Sequence, residues 1–222
     1  MTLAGGFGQN TCSTPYNLLS SYRGSTSFAS PTILPACEAR VEKLHWLRVE
    51  SPPNTLVTLS TCSSCFDTQL IVVSAPSGVC SDYVCVTAND DASGKSCNAI
   101  SSCGAVDGWS SVTFCTEELK DYYALIYGFE GQSGEYVVTL TESSEPCTVP
   151  SNNEKAFAAL LTLPQSIRFD TSFATGGSSA CSGVGEGEHS LWYRVTGTGR
   201  VLEANTCNPS TLIANGIAVF SQ

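Results

Sequence analysis

Apolar and polar residues alternate along this chain in short runs, each closed by Gly, Pro, Asn or Asp, which is the pattern of β-strands joined by tight loops. Seven such runs fall at residues 44–49, 56–60, 68–73, 83–87, 111–115, 122–127 and 135–140. Seven short strands in one domain length predict two antiparallel sheets packed face to face. The one stretch with helical character, 154–163, is short and reads equally well as an opening strand. In the run 44–49, alternation places Trp46 and Arg48 on one face and His45, Leu47 and Val49 on the other. The guanidinium is then within reach of the indole, a contact worth about 0.5–1 kcal/mol at an exposed site.

The same run recurs. Leu44-His45-Trp46-Leu47-Arg48-Val49 is answered by Ser190-Leu191-Trp192-Tyr193-Arg194-Val195, Cys37 before the first copy matches Cys181 before the second, and Cys62 after it matches Cys207. Cys12 and Cys147 stand 135 residues apart and Trp46 and Trp192 stand 146 apart, so the repeating unit is a domain. The expected organisation is an arm or the end of a preceding repeat at 1–10, a complete sandwich at 11–145 and an incomplete second sandwich at 146–222. The fold class is all-β, with disulfide-rich antiparallel sandwich repeats.

Composition assigns the compartment. Twelve cysteines in 222 residues, about a quarter Ser plus Thr, and few charges are features of an extracellular or cell-surface protein held by disulfides. Cys62-Ser63-Ser64-Cys65 is the only close cysteine knuckle, and the two histidines, His45 and His189, each stand near a tryptophan, which argues against zinc. The formal net charge of −10 argues against a nucleic-acid partner, and no run approaches the length of a membrane span. Asn208-Pro209-Ser210 is blocked as a glycan acceptor by its proline, leaving Asn10-Thr11-Cys12 and Asn205-Thr206-Cys207, which are of the rare Cys type. Hydroxyls of Ser and Thr offer the commoner attachment points.

Spacing suggests disulfides Cys80 with Cys85 across a hairpin, Cys12 with Cys37, Cys147 with Cys181, and Cys97 with Cys103 around a Gly- and Ser-rich loop. Nine cysteines fall in the first repeat and three in the second, so Cys207 is the candidate for a bridge between repeats or between chains.

Catalytic templates fail. Ser93-Gly94-Lys95-Ser96 has Asn89 where a phosphate loop needs its first glycine, and with two histidines a nucleophile–base pair has almost no raw material, so no enzyme activity is expected. The one polar constellation is Asn89-Asp90-Asp91, just after a strand, with Asp67 at the head of another. Turn carboxylates of this kind suit calcium, the sole cofactor the sequence suggests. The same residues also form Asx turns without metal.

The string Ser60-Thr61-Cys62, Phe66-Asp67-Thr68-Gln69-Leu70, Gly78-Val79-Cys80, Cys85-Val86, Asn89-Asp90-Asp91, Tyr122-Tyr123, Gly128-Phe129, Gly131 and Gly134-Glu135-Tyr136 resembles the bacterial pre-peptidase C-terminal domain and its repeated relatives. The resemblance covers about residues 40–142 well and 181–220 in part. It implies a non-catalytic β-sandwich, found beside peptidase domains or in tandem in surface proteins, with calcium in some relatives at positions matching Asp67, Asp90 and Asp91. Cys65, Cys103, Cys115 and the insertion 93–107 depart from the family pattern. Two functions follow as expectations. The first is a structural module of a filament, coat or adhesive protein, whose partners are other copies of itself joined by strand complementation. The second is an accessory domain of a secreted enzyme that binds protein or glycan surfaces through Trp109, Tyr122 or Tyr123.

Overall fold

The computed structural model describes the chain except for residues 1–10, 30–31, 35–38, 42, 81, 93–96, 98–102, 104–107, 175–189, 208–215, 218 and 220–222. The chain divides into two compact units, Met1–Val149 and Pro150–Gln222.

The first unit is a sandwich of a five-stranded and a four-stranded sheet. The five-stranded sheet contains β1 (Tyr16–Leu18), β5 (His45–Val49), β10 (Lys120–Gly128), β7 (Thr68–Pro76) and β8 (Val84–Asn89), in that spatial order. The four-stranded sheet runs β2 (Ser21–Ser25), β11 (Glu135–Pro146), β6 (Thr55–Ser60) and β9 (Ser111–Cys115). A separate antiparallel pair joins β3 (Thr32–Leu34) to β4 (Ala39–Val41). All seven strands expected from the sequence are present, each within a few residues of its expected bounds except β11, which runs on to Pro146. The strands β1 to β4 were not anticipated, because they are short and lack a sustained period-2 pattern.

Alternation determines which side chains meet between the sheets. Leu47 and Val49 of β5, Leu70 and Val72 of β7, and Tyr122, Ala124 and Ile126 of β10 face Val57 and Leu59 of β6, Val112 and Phe114 of β9, and Tyr136 and Val138 of β11. The residues between them on β5, β7 and β10 build a second apolar cluster on the opposite face: Trp46, Ile71, Val73, Ala75, Tyr123 and Leu125. This is why 70–73 and 122–126 are continuous apolar runs: these strands are buried on both faces. Trp46 is 2% exposed, with Tyr83 and Tyr123 set edge-on to its ring. Arg48 does not stack on it. Its guanidinium reaches Asp121 at 3.0 Å and Glu50 at 3.4 Å, because carboxylates on the neighbouring backbone offer a stronger field than the indole face. Gly24 lets two aromatic rings close over β2, since a Cβ there would stand 2.7 Å from Tyr22 and 2.8 Å from Tyr136.

The disulfide pairing differs from the expected one. Cys12 bonds Cys80, Cys62 bonds Cys97, Cys65 bonds Cys103 and Cys115 bonds Cys147. The short Cys80–Cys85 spacing misleads because Cys80 lies in the turn after β7, whereas Cys85 is a ladder residue opposite Val73 with a disulfide of its own. Cys97 and Cys103 do not close on each other, since each finds one cysteine of the 62–65 turn. Cys147 is claimed by Cys115, so the bond fastens the end of β11 to the end of β9 within the first unit. Cys37 and Cys181 lie outside the described residues, and Cys207 is unpaired and exposed.

In the second unit, β12 (Ala159–Leu160) and β13 (Tyr193–Arg194) pair in parallel, preceded by a 3-10 turn at Lys155–Phe157. The segment with mixed helix and strand signals is therefore a turn followed by a strand. The Ala159↔Tyr193 pairing reproduces the parallel Tyr16↔Leu47 pairing of the first unit, with Leu47 and Tyr193 at equivalent positions of the repeated run. The sequence echo thus extends to strand pairing. Among the described residues no helix is long and apolar enough to cross a membrane.

His45 is buried, with its Nδ1 3.1 Å from the Tyr136 hydroxyl, and burial lowers its pKa below 6.5. The unfolded chain then takes up this proton more readily than the folded one, so stability is complete above pH 6.5 and falls as the pH drops below it. Thermal melts between pH 8 and 5 should show this decline, and His45→Gln should flatten the slope whatever it does to the plateau.

Candidate metal centre

The ladder between β7 and β8 pairs Leu70 with Asn89, so the residue before β7 and the residues after β8 must lie side by side. Those residues are Asp67, Asp90 and Asp91, and one carboxylate oxygen of each lies within 4.8 Å of the others. Backbone and hydroxyl contacts fix the cluster from several sides. The Phe129 N–H donates to the Asp67 carbonyl at 3.1 Å, and the Asp67 N–H donates to Gln132 Oε1 at 3.3 Å. Ser110 Oγ donates to the Asp90 carbonyl at 2.7 Å, and it is itself held in a buried polar knot where Thr61 Oγ1 meets Thr68 Oγ1 at 2.6 Å.

Gly108 permits the approach of the last loop. Its φ is +85°, and a Cβ on it would stand 2.4 Å from the Asp67 carboxyl, so a side chain is excluded by both conformation and space. The Gly108 carbonyl accepts the Thr68 N–H at 2.8 Å. Two disulfides, Cys62–Cys97 and Cys65–Cys103, fasten the segment between β8 and β9 to the turn immediately before Asp67. Sequence reasoning missed both. The signal was available in the tight Cys62-Ser63-Ser64-Cys65 turn, whose two sulfurs are too constrained to serve distant parts of the fold.

Asn89, the fourth residue expected at the site, makes side-chain hydrogen bonds to the backbone. Its Oδ1 accepts the Ser111 N–H at 2.9 Å and its Nδ2 donates to the Asp91 carbonyl at 3.2 Å, so both ends of the amide are engaged in shaping the turn. Loss of water from around Asp67, followed by the charges of Asp90 and Asp91, raises the Asp67 pKa. Asp67 Oδ1 and Asp90 Oδ1 are shielded from solvent and have no hydrogen-bond partner among the described residues. Unpartnered carboxylate oxygens converging at a turn fit a hard cation of the calcium type, which takes oxygen ligands.

The expected exposed aromatics are not exposed. Tyr122 and Tyr123 are each 4% exposed, because alternation on a strand buried on both faces leaves neither free, and Trp109 is half-buried. A surface hollow beside Tyr122 is lined by Arg48, Glu50, Glu117, Glu118, Lys120 and Asp121, of which Lys120 meets Glu117 at 2.7 Å and Arg48 meets Asp121 at 3.0 Å. His189 lies outside the described residues.

The chain is thus an all-β, disulfide-rich sandwich with an acidic cluster where three loops meet. No family model and no curated protein matches it. Among solved structures it is similar to the pre-peptidase C-terminal domain of a collagenase from Bacillus anthracis, at 13% identity and a TM-score of 0.30, over 57% of this chain and 92% of that one.

Without a cation the cluster is a liability. Because the folded pKa of Asp67 lies above its ordinary 3.8, stability is lost as the pH rises through that window, and the full penalty is present at neutral pH. Asp90→Asn should therefore raise the melting midpoint in chelator at pH 7. Relief of a like-charge contact between half-buried residues is worth at most about 1 kcal/mol, or roughly 2–4 °C.

Proposed function

We propose that this chain is a non-catalytic extracellular β-sandwich module, accessory to a secreted or surface protein, that binds calcium through Asp67, Asp90 and Asp91. The observation that carries the reading is the convergence of three carboxylates, two of them with shielded and unpartnered oxygens, at a loop junction fastened by two disulfides. Disulfides at this density belong to an oxidising compartment, where calcium is plentiful. The resemblance of the motif string to pre-peptidase C-terminal domains supports the accessory role.

Calcium sites of extracellular modules bind at about 10⁻⁴–10⁻³ M. At several millimolar calcium, mass action then adds about 1–2 kcal/mol and lifts the midpoint by roughly 2–8 °C. EGTA should reverse the shift and Asp67→Asn should abolish it, whereas a midpoint indifferent to calcium and no heat in titration calorimetry would sink the reading.

The repeated parallel pairing of β1 with β5 and β12 with β13 favours a second reading, a tandem structural module of a filament or coat that associates with its own copies. Light scattering of the purified chain across a concentration series separates the two. Concentration-dependent growth supports self-assembly, and a constant monomer mass removes it.

A further inference from the structure

We propose that the disulfides Cys62–Cys97 and Cys65–Cys103 form a redox latch on the acidic cluster, so that bound calcium holds the two bonds shut and their reduction releases calcium. The inference rests on the calcium reading above and adds to it a mode of regulation.

The latch has an anchored side and a tied side. Asp67 follows Cys65 by two residues, and its turn is anchored to the four-stranded sheet without help from sulfur: the Cys65 N–H donates to the Glu135 carbonyl at 2.8 Å, and Ser64 Oγ accepts the Val137 N–H at 3.1 Å. Asp90 and Asp91 stand on the tied side. They follow β8, which lies at the edge of the five-stranded sheet and pairs with β7. Between Asp91 and Gly108, the glycine that admits the Asp67 carboxyl, the connection is bonded to the Asp67 turn twice, through Cys97 and through Cys103. Three carboxylate oxygens within 4.8 Å of one another repel, and the two disulfides oppose their separation. A cation converts the repulsion into attraction. Closed disulfides and bound calcium therefore favour the same arrangement, and by linkage each strengthens the other by the same factor.

Solvent reaches the latch. Cys103 is exposed and Cys62, Cys65 and Cys97 are half-buried, whereas Cys115 and Cys147 are 3% and 2% exposed. The co-reactant is a dithiol. One of its thiolates attacks a sulfur of the protein disulfide and forms a mixed disulfide, and its second sulfur then displaces the protein thiol. For each bond opened, two electrons and two protons pass to the protein pair, leaving two protein thiols and the reductant as a disulfide. With both bonds open, the anchored turn keeps its hydrogen bonds to β11, but the covalent ties that hold the Asp90 and Asp91 side against Asp67 are gone.

The test is an equilibrium redox titration of the whole chain carrying Cys207→Ser, which removes the exposed free thiol from exchange. The chain is poised in dithiothreitol buffers of rising dithiol-to-disulfide ratio, in EGTA or in about 20 mM calcium, well above the ~10⁻⁴–10⁻³ M typical of extracellular sites. Alkylation and peptide mapping then read each bond, and an equilibrium reading is free of calcium's effect on the rate of thiolate attack. Calcium should raise the ratio at which Cys62–Cys97 and Cys65–Cys103 open by about fivefold or more, and Asp67→Asn should remove the shift. Cys12–Cys80, beyond the far end of β7, and the buried Cys115–Cys147 should not follow. Calcium that gives heat with the oxidised chain yet leaves the two midpoints unmoved, or moves all four of these bonds equally, overturns the latch and leaves the calcium reading standing. No heat with the oxidised chain and no shift overturns both.

Discussion

The pairing of β7 with β10 is the constraint on which the first unit depends. Nine residue pairs, from Lys120↔Pro76 to Gly128↔Thr68, join two strands whose side chains are buried alternately in the sandwich core and in the cluster around Trp46. Neither strand has a solvent face through most of its length, so a shift of register by one residue gains nothing and exchanges two dissimilar packings. The pairing also reaches the acidic cluster directly. One end of the ladder is Thr68 and Gly128, and the next residues on either strand, Asp67 and Phe129, are joined by the backbone bond that orients Asp67. The longest ladder among the described strands therefore positions the acidic cluster.

Much of this was legible in the sequence because burial leaves a periodic imprint. The runs 70–73 and 122–126 announce strands covered on both faces, and the alternation at 111–115 announces a strand with one wet side. Short strands such as β1 and β3 leave no such imprint: three residues cannot establish a period, and their pairing is dictated by neighbours far away in the chain. The repeat at Trp46 and Trp192 was visible, but its meaning as a shared parallel pairing required the partners at Tyr16 and Ala159.

The acidic cluster was half legible for a related reason. Asp67, Asp90 and Asp91 flank strands that pair, so the ladder brings them together and the sequence reveals them. Asn89 looks the same in sequence, but its amide turns to Ser111, and only the register of β8 against its surroundings determines that. The disulfides were least legible. Two cysteines five residues apart, such as Cys80 and Cys85, are near neighbours in the chain, yet whether their side chains meet depends on the faces of the elements that carry them. Tyr122 and Tyr123 carry the same lesson, since adjacent strand residues point to opposite faces and here both faces are covered.

The strand order also controls when folding can begin. In the five-stranded sheet β10 lies between β5 and β7, and in the four-stranded sheet β11 lies between β2 and β6, so each sheet waits for a strand near the end of the unit. Until residue 128 is available, the first sheet is only a β7–β8 hairpin and a separate β1–β5 pair, and the second holds β6 against β9 with β2 unattached. A chain threaded N-terminus first through a narrow channel would keep its early segments open and pliant for most of the passage. Closure of both sheets would then come on the far side, once β11 had cleared the exit, together with the Cys115–Cys147 bond, the one described disulfide that waits for the end of that strand.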